Sequence, residues 1–209
     1  MDPYKNIKSE LRENLIYKNK SFLQDKLFME FGVNAGTSLL EFYDFYTKHG
    51  IKKNFFGFDS FVGLPEEKFD VNSPWKTGKF SCDGKINPEL LNKNDISIYN
   101  GWFSETLVYN ADLYNKTHNK KVGIAHIDCD IYTSTLQVLD FLLTNNLLCD
   151  GSLLIYDDWG SFLMNGMNEY ENGQSKAHID IENRYNIKFK HVEKIVVDPQ
   201  FYIINIFKV

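Results

Sequence analysis

Four aspartates form two short patches in the second half of the chain. Asp128 and Asp130 flank Cys129, while Asp157 and Asp158 are adjacent. Four neighbouring carboxylates repel one another strongly at low dielectric unless a cation compensates their charge. Carboxylate oxygens favour Mg2+, Ca2+ or Mn2+ over Zn2+. The pattern therefore predicts a site for a hard divalent cation, and the alternative is that some of these aspartates cap the helices that follow them.

A glycine-containing turn and a third acidic position lie earlier in the chain. Residues 27–32 resemble a short buried strand that leads into a turn with Gly32 and Gly36. Glycine lets a backbone approach a ligand closely, although this turn departs from the GxGxxG pattern and such turns often only join a strand to a helix. Asp59 stands near the end of a second strand, residues 54–61. A carboxylate there can accept both hydroxyls of a ribose, and the alternative is a solvated or capping aspartate.

Strands and helices alternate along the whole chain. Further strands are predicted at residues 96–99, 122–128 and 151–156, with helices from about residue 104 and at 133–148 and 174–185. Residues 191–197 and 201–208 are typical of a closing antiparallel pair. This order predicts one α/β domain, a Rossmann-like, mostly parallel sheet with helices on both faces. Because ligands bind outside the carboxyl ends of such strands, the acids and the glycine turn should meet at one edge.

Composition excludes several classes of protein. The 209 residues carry 23 basic and 28 acidic side chains, a net charge of −5, which gives no basic footprint for nucleic acid. No apolar run approaches the roughly 20 residues of a membrane span. The three cysteines, Cys82, Cys129 and Cys149, are widely spaced, which is typical of reduced thiols. We therefore expect a cytoplasmic protein. The helical spacing of Leu11, Leu15 and Ile16 further predicts a helical arm or lid at residues 1–26, before the main domain at 27–209.

Five segments in order resemble one family. They are residues 30–38, 58–65, 101–107, 127–135 and 156–159. With these segments the chain is similar to class I S-adenosylmethionine-dependent O-methyltransferases, and specifically to the macrocin O-methyltransferase family of sugar-modifying enzymes. The resemblance covers about residues 27–185.

The resemblance implies roles for individual residues. The methionine part of S-adenosylmethionine would be held by Glu30, Gly32, Gly36, Thr37 and Ser38. The ribose hydroxyls would bind Asp59, and the adenine would lie near Ser60, Gly101 and Trp102. Mg2+ would be ligated by Asp128, Asp157 and Asp158, and Asp130 would be the general base. His126, within a strand, is interpreted as a core residue or as one that supports the ligands.

The implied reaction is Mg2+-assisted transfer of a methyl group to a sugar hydroxyl, in a polysaccharide or a natural-product glycoside. A hydroxyl is a weak acid, and a bound cation lowers its pKa and fixes the oxygen for attack. Acceptor specificity should come from residues 1–26, 63–90 and 161–174. Four aromatic residues could stack on a sugar or serve only in packing: Trp75, Phe80, Trp159 and Phe162.

Other functions remain open from the sequence alone. Residues 128–130 form a DxD motif, which a metal-dependent glycosyltransferase would use to hold a nucleotide sugar. A catechol-like diol is an alternative acceptor, and a non-catalytic module that binds the cofactor or a metal is a third possibility. The expected partner is a small-molecule or glycan acceptor. We expect no binding of nucleic acid, and the protein could form a homodimer.

Overall fold

The computed structural model describes residues 5–69, 73, 75–108, 111–159, 172–198 and 202–209. Its helices are α1 Lys5–Leu23, α2 Thr37–Lys48, α3 Pro88–Leu91, α4 Phe103–Thr106, α5 Ala111–Thr117, α6 Tyr132–Thr144 and α7 Gly173–Tyr185. Its strands are β1 Leu27–Phe31, β2 Phe55–Asp59, β3 Ile96–Asn100, β4 Val122–Ile127, β5 Leu153–Tyr156, β6 Lys190–Asp198 and β7 Tyr202–Lys208.

The seven strands form one sheet in the order β3-β2-β1-β4-β5-β7-β6. The pairs β2·β3, β1·β2, β1·β4 and β4·β5 are parallel. Strand β7 runs antiparallel to both β5 and β6. The predicted fold class is confirmed: a mostly parallel Rossmann-like sheet with a C-terminal antiparallel pair. Because these strands are parallel, the loops after β1, β2, β4 and β5 lie at one edge of the sheet. The strand order reverses its direction between β1 and β4.

Each face of the sheet carries its own apolar cluster, because successive strand residues point to opposite faces. Met29 and Phe31 pack with Leu139 of α6 and Ile181 of α7. Phe28 packs on the other face, in a cluster with residues of α1 and α2 that include Ile16, Leu39 and Phe42. Burial on both faces explains why the central strands are nearly continuous apolar runs.

Helix α1 confirms the helix expected near the N-terminus and packs against the body of the protein. Leu11, Leu15, Ile16 and Leu23 are buried on its inner side. Neighbouring turns on the outer side are exposed, as at Ile7. The helix is therefore anchored from Leu11 onward, and its first turn reaches Asp157, just after β5, through Lys8. The division into an arm and a main domain stays a prediction.

Three details differ from the sequence prediction. The helix expected at 133–148 ends at Thr144, because Asn146 takes a left-handed conformation with φ 51° and Leu147 turns into the core. The helix expected from about residue 104 is split into α4 and α5. The segment at 63–90 is mainly irregular, as predicted, but α3 begins near its end.

The loop predicted at 161–174 falls mostly outside the described residues, as does Phe162. Among the described helices, none combines the length and the apolar character that a membrane span requires.

Candidate active site

A cavity of about 440 Å³ lies at the carboxyl edge of the parallel strands. Its volume is within the usual range for small-molecule sites. It is lined by nearly all of the predicted site residues, namely Gly32, Thr37, Ser38, Asp59, Ser60, Gly101, Trp102, Asp128, Asp130, Asp157 and Asp158. The sequence prediction that these residues meet at one edge is therefore confirmed as a matter of position.

The turn after β1 forms the floor of the cavity, and its geometry requires glycine. Gly32 has φ +93°, and a Cβ there would lie 1.7 Å from the carbonyl oxygen of Asp128. The Gly32 amide donates to the carbonyl of Phe58 at 2.9 Å, and the Asp128 amide donates to the carbonyl of Phe31 at 2.9 Å. Gly36 has φ +87° and contacts α3, where a Cβ would lie 2.1 Å from the Leu90 side chain. These contacts bring the ends of β1, β2 and β4 together without an intervening side chain.

Asp59 organises the cavity wall beside that turn. Its Oδ2 accepts a hydrogen bond from the amide of Asn34 at 2.7 Å, and its Oδ1 accepts one from the amide of Phe61 at 2.6 Å. The Gly101 amide donates to the Asp59 carbonyl at 2.9 Å. Each carboxylate oxygen keeps a further lone pair, so this side chain can still accept hydroxyl donors from a ligand.

Glu30 lies behind the cavity wall. Its side chain is 0% exposed, and its Oε1 accepts hydrogen bonds from Ser38 Oγ and, at 3.1 Å, from His126 Nδ1. Its Oε2 is buried and has no hydrogen-bond partner among the described residues. Because Glu30 is fully buried and Ser38 lines the cavity, Glu30 would act on a bound cofactor through the Ser38 hydroxyl. Direct contact between Glu30 and a cofactor would require the wall to open.

His126 joins Glu30 to the acidic side of the site. Its side chain is fully buried, and its Nε2 lies 3.7 Å from Asp157 Oδ1, too far for a hydrogen bond but close enough for electrostatic attraction. Burial lowers the pKa of His126, but the attraction of Asp157 and Glu30 outweighs burial and raises the pKa to about 9. The imidazole is therefore a buried cation at neutral pH. This confirms the interpretation of His126 as a core residue that supports the site.

The acidic cluster combines one carboxylate whose pKa is lowered with three carboxyl groups whose pKa is raised. Burial and the repulsion of neighbouring carboxylates raise the pKa of Asp128, Asp130 and Asp158 well above the ordinary value. Asp157 is equally buried, but attraction to His126, Lys8 and other cations holds its pKa well below the usual range. Without a bound cation, burial and repulsion thus favour the neutral form of these three carboxyl groups, whereas a bound hard divalent cation would favour their charged form and prefers such oxygen donors.

Asp130 also has an unusual backbone. It has φ 60°, in the left-handed region that few non-glycine residues adopt, and it is 9% exposed on the cavity wall just before α6. Strained backbone of this kind clusters at functional sites.

Glu67, in the segment after β2, accepts hydrogen bonds from the amide and hydroxyl of Thr133 at 2.8 and 2.7 Å and so fixes the start of α6.

Within the described ranges, one set of three side chains offers possible metal-ligating atoms that all lie within 4.8 Å of one another: Glu30, His126 and Asp128. This set shares only Asp128 with the predicted ligands. The set includes an imidazole nitrogen, a donor that suits Zn2+ better than it suits Mg2+, Ca2+ or Mn2+. Asp128 and Asp158 both line the cavity and offer carboxylate oxygens, which are the donors that hard cations prefer.

Two basic residues of α1 reach the cluster, and the sequence prediction did not include them. Lys8 Nζ donates to Asp157 Oδ2 at 2.6 Å. Arg12 donates to Glu41 Oε2 at 2.8 Å and to Asp157 Oδ1 at 3.4 Å, with its guanidinium over the ring of Phe42. No local signal marks them, because they are charged residues on an amphipathic helix far from Asp157 in sequence.

Gln174 was expected only as the junction between the segment at 161–174 and the helix at 174–185, and no individual role was predicted for it. Its side chain is fully buried. Its Oε1 accepts from the Asp158 amide at 3.1 Å, and its Nε2 donates to the carbonyl of Ile127 at 3.0 Å. Gln174 thus ties the ends of β4 and β5 to α7. In the sequence this residue is recognisable only as the start of a predicted helix.

The aromatic candidates divide into two groups. Trp75 and Phe80 line the cavity, with the Lys79 ammonium 4.0 Å from the ring centroid of Trp75 and 5.0 Å from that of Phe80. Trp159 is 2% exposed and packs on Tyr156 and Phe207. The packing interpretation therefore holds for Trp159, whereas Trp75 and Phe80 stay candidates for ligand contact.

Comparison with known proteins identifies the fold and the family. The solved structure of the O-methyltransferase NovP is 18% identical, with a TM-score of 0.63 over 96% of this chain and 78% of that one. CalS11, a TDP-rhamnose 3'-O-methyltransferase of calicheamicin biosynthesis, is 15% identical, with a TM-score of 0.59 over 97% of this chain and 79% of that one. An O-methyltransferase from Bacillus cereus, solved with SAH, is 13% identical, with a TM-score of 0.57 over 100% and 82%.

At these identities the likeness establishes the fold alone. A search of proteins with curated functions found no match. Residues 22–183, more than half of the chain, match the family described as Macrocin-O-methyltransferase (TylF). The chain therefore belongs to the macrocin O-methyltransferase family.

Proposed function

We propose that this protein transfers a methyl group from S-adenosylmethionine to a hydroxyl of a sugar, with help from Mg2+. The proposal is carried by one observation: the glycine turn, Asp59 and the four aspartates of the acidic cluster line the same cavity at the ends of parallel strands. Membership of the family supports methyl transfer. A sugar acceptor is supported by CalS11, which acts on a TDP-rhamnose and shares the fold.

The cofactor half of the cavity would be formed by residues after β1, β2 and β3. The backbone at Gly32 and the hydroxyls of Thr37 and Ser38 would hold the methionine part, and Asp59 would accept the ribose hydroxyls. Gly101 and Trp102 would border the adenine. When bound, S-adenosylmethionine supplies a sulfonium-activated methyl group, whose transfer to an oxygen nucleophile releases a neutral thioether.

The residues of the acidic half fit a hard divalent cation. Asp128 and Asp158 have pKa values raised by burial and by like charge, which a bound cation would relieve. Together with Asp157 they would be the ligands. When bound, Mg2+ supplies Lewis acidity that makes an alcohol hydroxyl easier to deprotonate.

Asp130 would accept the proton of the acceptor hydroxyl. An ordinary aspartate is a weak base, but burial and the charges of Asp128 and Asp157 raise the pKa of Asp130 and so increase its basicity. The same surroundings favour its neutral form, which cannot act as a base. The proposed role therefore requires that neighbouring negative charge be neutralised when the enzyme is active.

Trp75 and Phe80 supply aromatic surface in the lining of the cavity. Such rings can stack on the face of a sugar, while the aspartates bind its hydroxyls. A catechol-like diol is the second candidate acceptor, since it also offers two adjacent oxygens. A glycosyltransferase would use residues 128–130 and would leave Gly32, Asp59 and the family match without a role.

The test is a methyl-transfer screen with isotopically labelled S-adenosylmethionine, over nucleotide-activated sugars and catechols, with Mg2+ or with EDTA. We expect transfer to a sugar in Mg2+ and a large loss in EDTA. Asp130→Asn should lower turnover by about 100-fold or more while the Kd for S-adenosylhomocysteine is kept. Asp25→Asn, at an exposed position, is the matched control. Binding of nucleotide sugars without binding of S-adenosylhomocysteine would refute the proposal, and retained turnover in Asp130→Asn would refute the base.

A further inference from the structure

The ammonium of Lys8 lies in the acidic cluster, at the place where a divalent cation is expected. It donates to Asp157 Oδ2 at 2.6 Å, its side chain is 12% exposed, and it lines the same cavity as Asp128 and Asp158. Burial lowers the pKa of Lys8, but attraction to Asp157, Asp128 and Asp158 outweighs burial and raises the pKa. Lys8 is thus charged, and the three carboxylates that attract it are the three proposed metal ligands.

Lys8 is also a contact that fastens the first turns of α1. Farther along the helix, Leu11, Leu15 and Ile16 are buried in the core. Before them, Ile7 is 47% exposed. Loss of the contact between Lys8 and Asp157 would therefore loosen the start of α1 and leave the rest of the helix in place.

Arg12 would keep part of the compensation if Lys8 moved. Its guanidinium is held by Glu41 at 2.8 Å and by the face of the Phe42 ring, independently of Asp157. The lysine side chain, by contrast, is a flexible stem with a compact charge. Of the two cations, Lys8 is the one that can leave Asp157 without disturbing the core.

We infer that Lys8 is a resident cation of the acidic cluster, which competes with the divalent metal for Asp157, so that metal binding releases the first turns of α1. The inference rests on the proposed metal site. It makes Lys8 a positioning residue that sets metal affinity and links the metal to the helix beside the cavity.

The first measurement is the affinity for Mg2+ by calorimetric titration, in the absence of acceptor. Lys8→Met should bind Mg2+ at least about tenfold more tightly than the unaltered protein, because a competing positive charge is removed. Lys8→Gln should do the same, which covers the case that the methionine variant folds poorly. Lys8→Arg keeps the charge and should stay near the unaltered affinity. Lys18→Met, exposed on the same helix, is the matched control and should change nothing.

The second measurement is hydrogen exchange of the amides at residues 9–12, which bond to the carbonyls of residues 5–8. Saturating Mg2+ should speed this exchange severalfold in the unaltered protein. In Lys8→Met the exchange should already be fast and should not respond to Mg2+.

The outcomes separate the inference from the proposed function. Equal Mg2+ affinity in the unaltered protein and Lys8→Met, or slower exchange at residues 9–12 on adding Mg2+, would overturn the competition while leaving the metal site intact. Absence of Mg2+ binding in every variant would overturn both.

Discussion

The buried imidazolium of His126 makes the stability of the metal-free protein depend on pH. His126 pairs with Glu30 of β1 at 3.1 Å, faces Asp157 at the end of β5 at 3.7 Å, and packs on Phe42 of α2. Arg12 of α1 acts in the opposite direction, since its charge disfavours protonation. The two carboxylates prevail, and the pKa of His126 rises from 6.5 to about 9 in the folded protein.

The sign and size of the effect follow from proton linkage. A group whose pKa is higher in the folded state stabilises that state fully below its unfolded pKa, here 6.5, and the contribution is lost as the pH rises through about 9. A shift of about 2.5 units at about 1.36 kcal/mol per unit corresponds to about 3 kcal/mol. We therefore expect the free energy of unfolding to fall by about this amount, from this residue, between pH 6.5 and above 9.

The assay is urea unfolding in EDTA, followed by tryptophan fluorescence, between pH 6 and 9.5. His126→Gln should be less stable at pH 6 and should lose about 3 kcal/mol less than the unaltered protein over this range. His118→Gln, at an exposed position, is the control and should follow the unaltered profile. Other buried acids, such as Asp128 and Asp158, weaken the fold in the same direction, but they are present in all three proteins. Parallel pH profiles for His126→Gln and the unaltered protein would refute the reasoning.

Three further predictions concern the cavity. Gly32→Ala would place a Cβ 1.7 Å from a carbonyl oxygen, so it should cost more than about 3 kcal/mol in urea unfolding, whereas Gly84→Ala, with open space around it, should cost about 1 kcal/mol. Asp59→Ala removes the acceptor of two backbone amides and should weaken S-adenosylhomocysteine binding by about tenfold or more in calorimetry, whereas an unchanged Kd would exclude Asp59 from the cofactor site. Mg2+ at about 100 times its Kd should stabilise the protein by about 2.7 kcal/mol in thermal unfolding, and Asp158→Asn should abolish that gain; equal gains in both would contradict the ligand assignment.

The parts of the fold that sequence predicted are those fixed by local pattern. Continuous apolar runs such as residues 122–127 predicted buried parallel strands, and each is present. Aspartates placed directly after such runs had to lie at the same edge of a parallel sheet. Position along the chain was therefore sufficient to place Asp59, Asp128 and Asp157 at this edge, and the strand order then brings them around one cavity.

Other features could not be predicted because they depend on side-chain contacts between distant segments. Lys8 and Asp157 are 149 positions apart, and neither has a neighbour that marks the pair. Glu30 follows an apolar run as a ligand-binding acid might, yet its carboxylate faces His126 behind the wall. The end of α6 was misplaced because Leu147 and Leu148 continue the apolar pattern after the helix has stopped.

Three basic residues, Lys8, Arg12 and His126, alter the charge balance from which a metal site was predicted. From the sequence, four aspartates had no visible counter-charge, and a divalent cation supplied it. The structure gives a different distribution: Lys8, Arg12 and His126 all gather on Asp157, whose pKa is lowered. Asp128 still has a raised pKa, as do the aspartates at 130 and 158. Protein cations therefore lower the pKa of one member of the cluster and leave the other three pKa values raised, so they would tune the affinity of a divalent cation without replacing it.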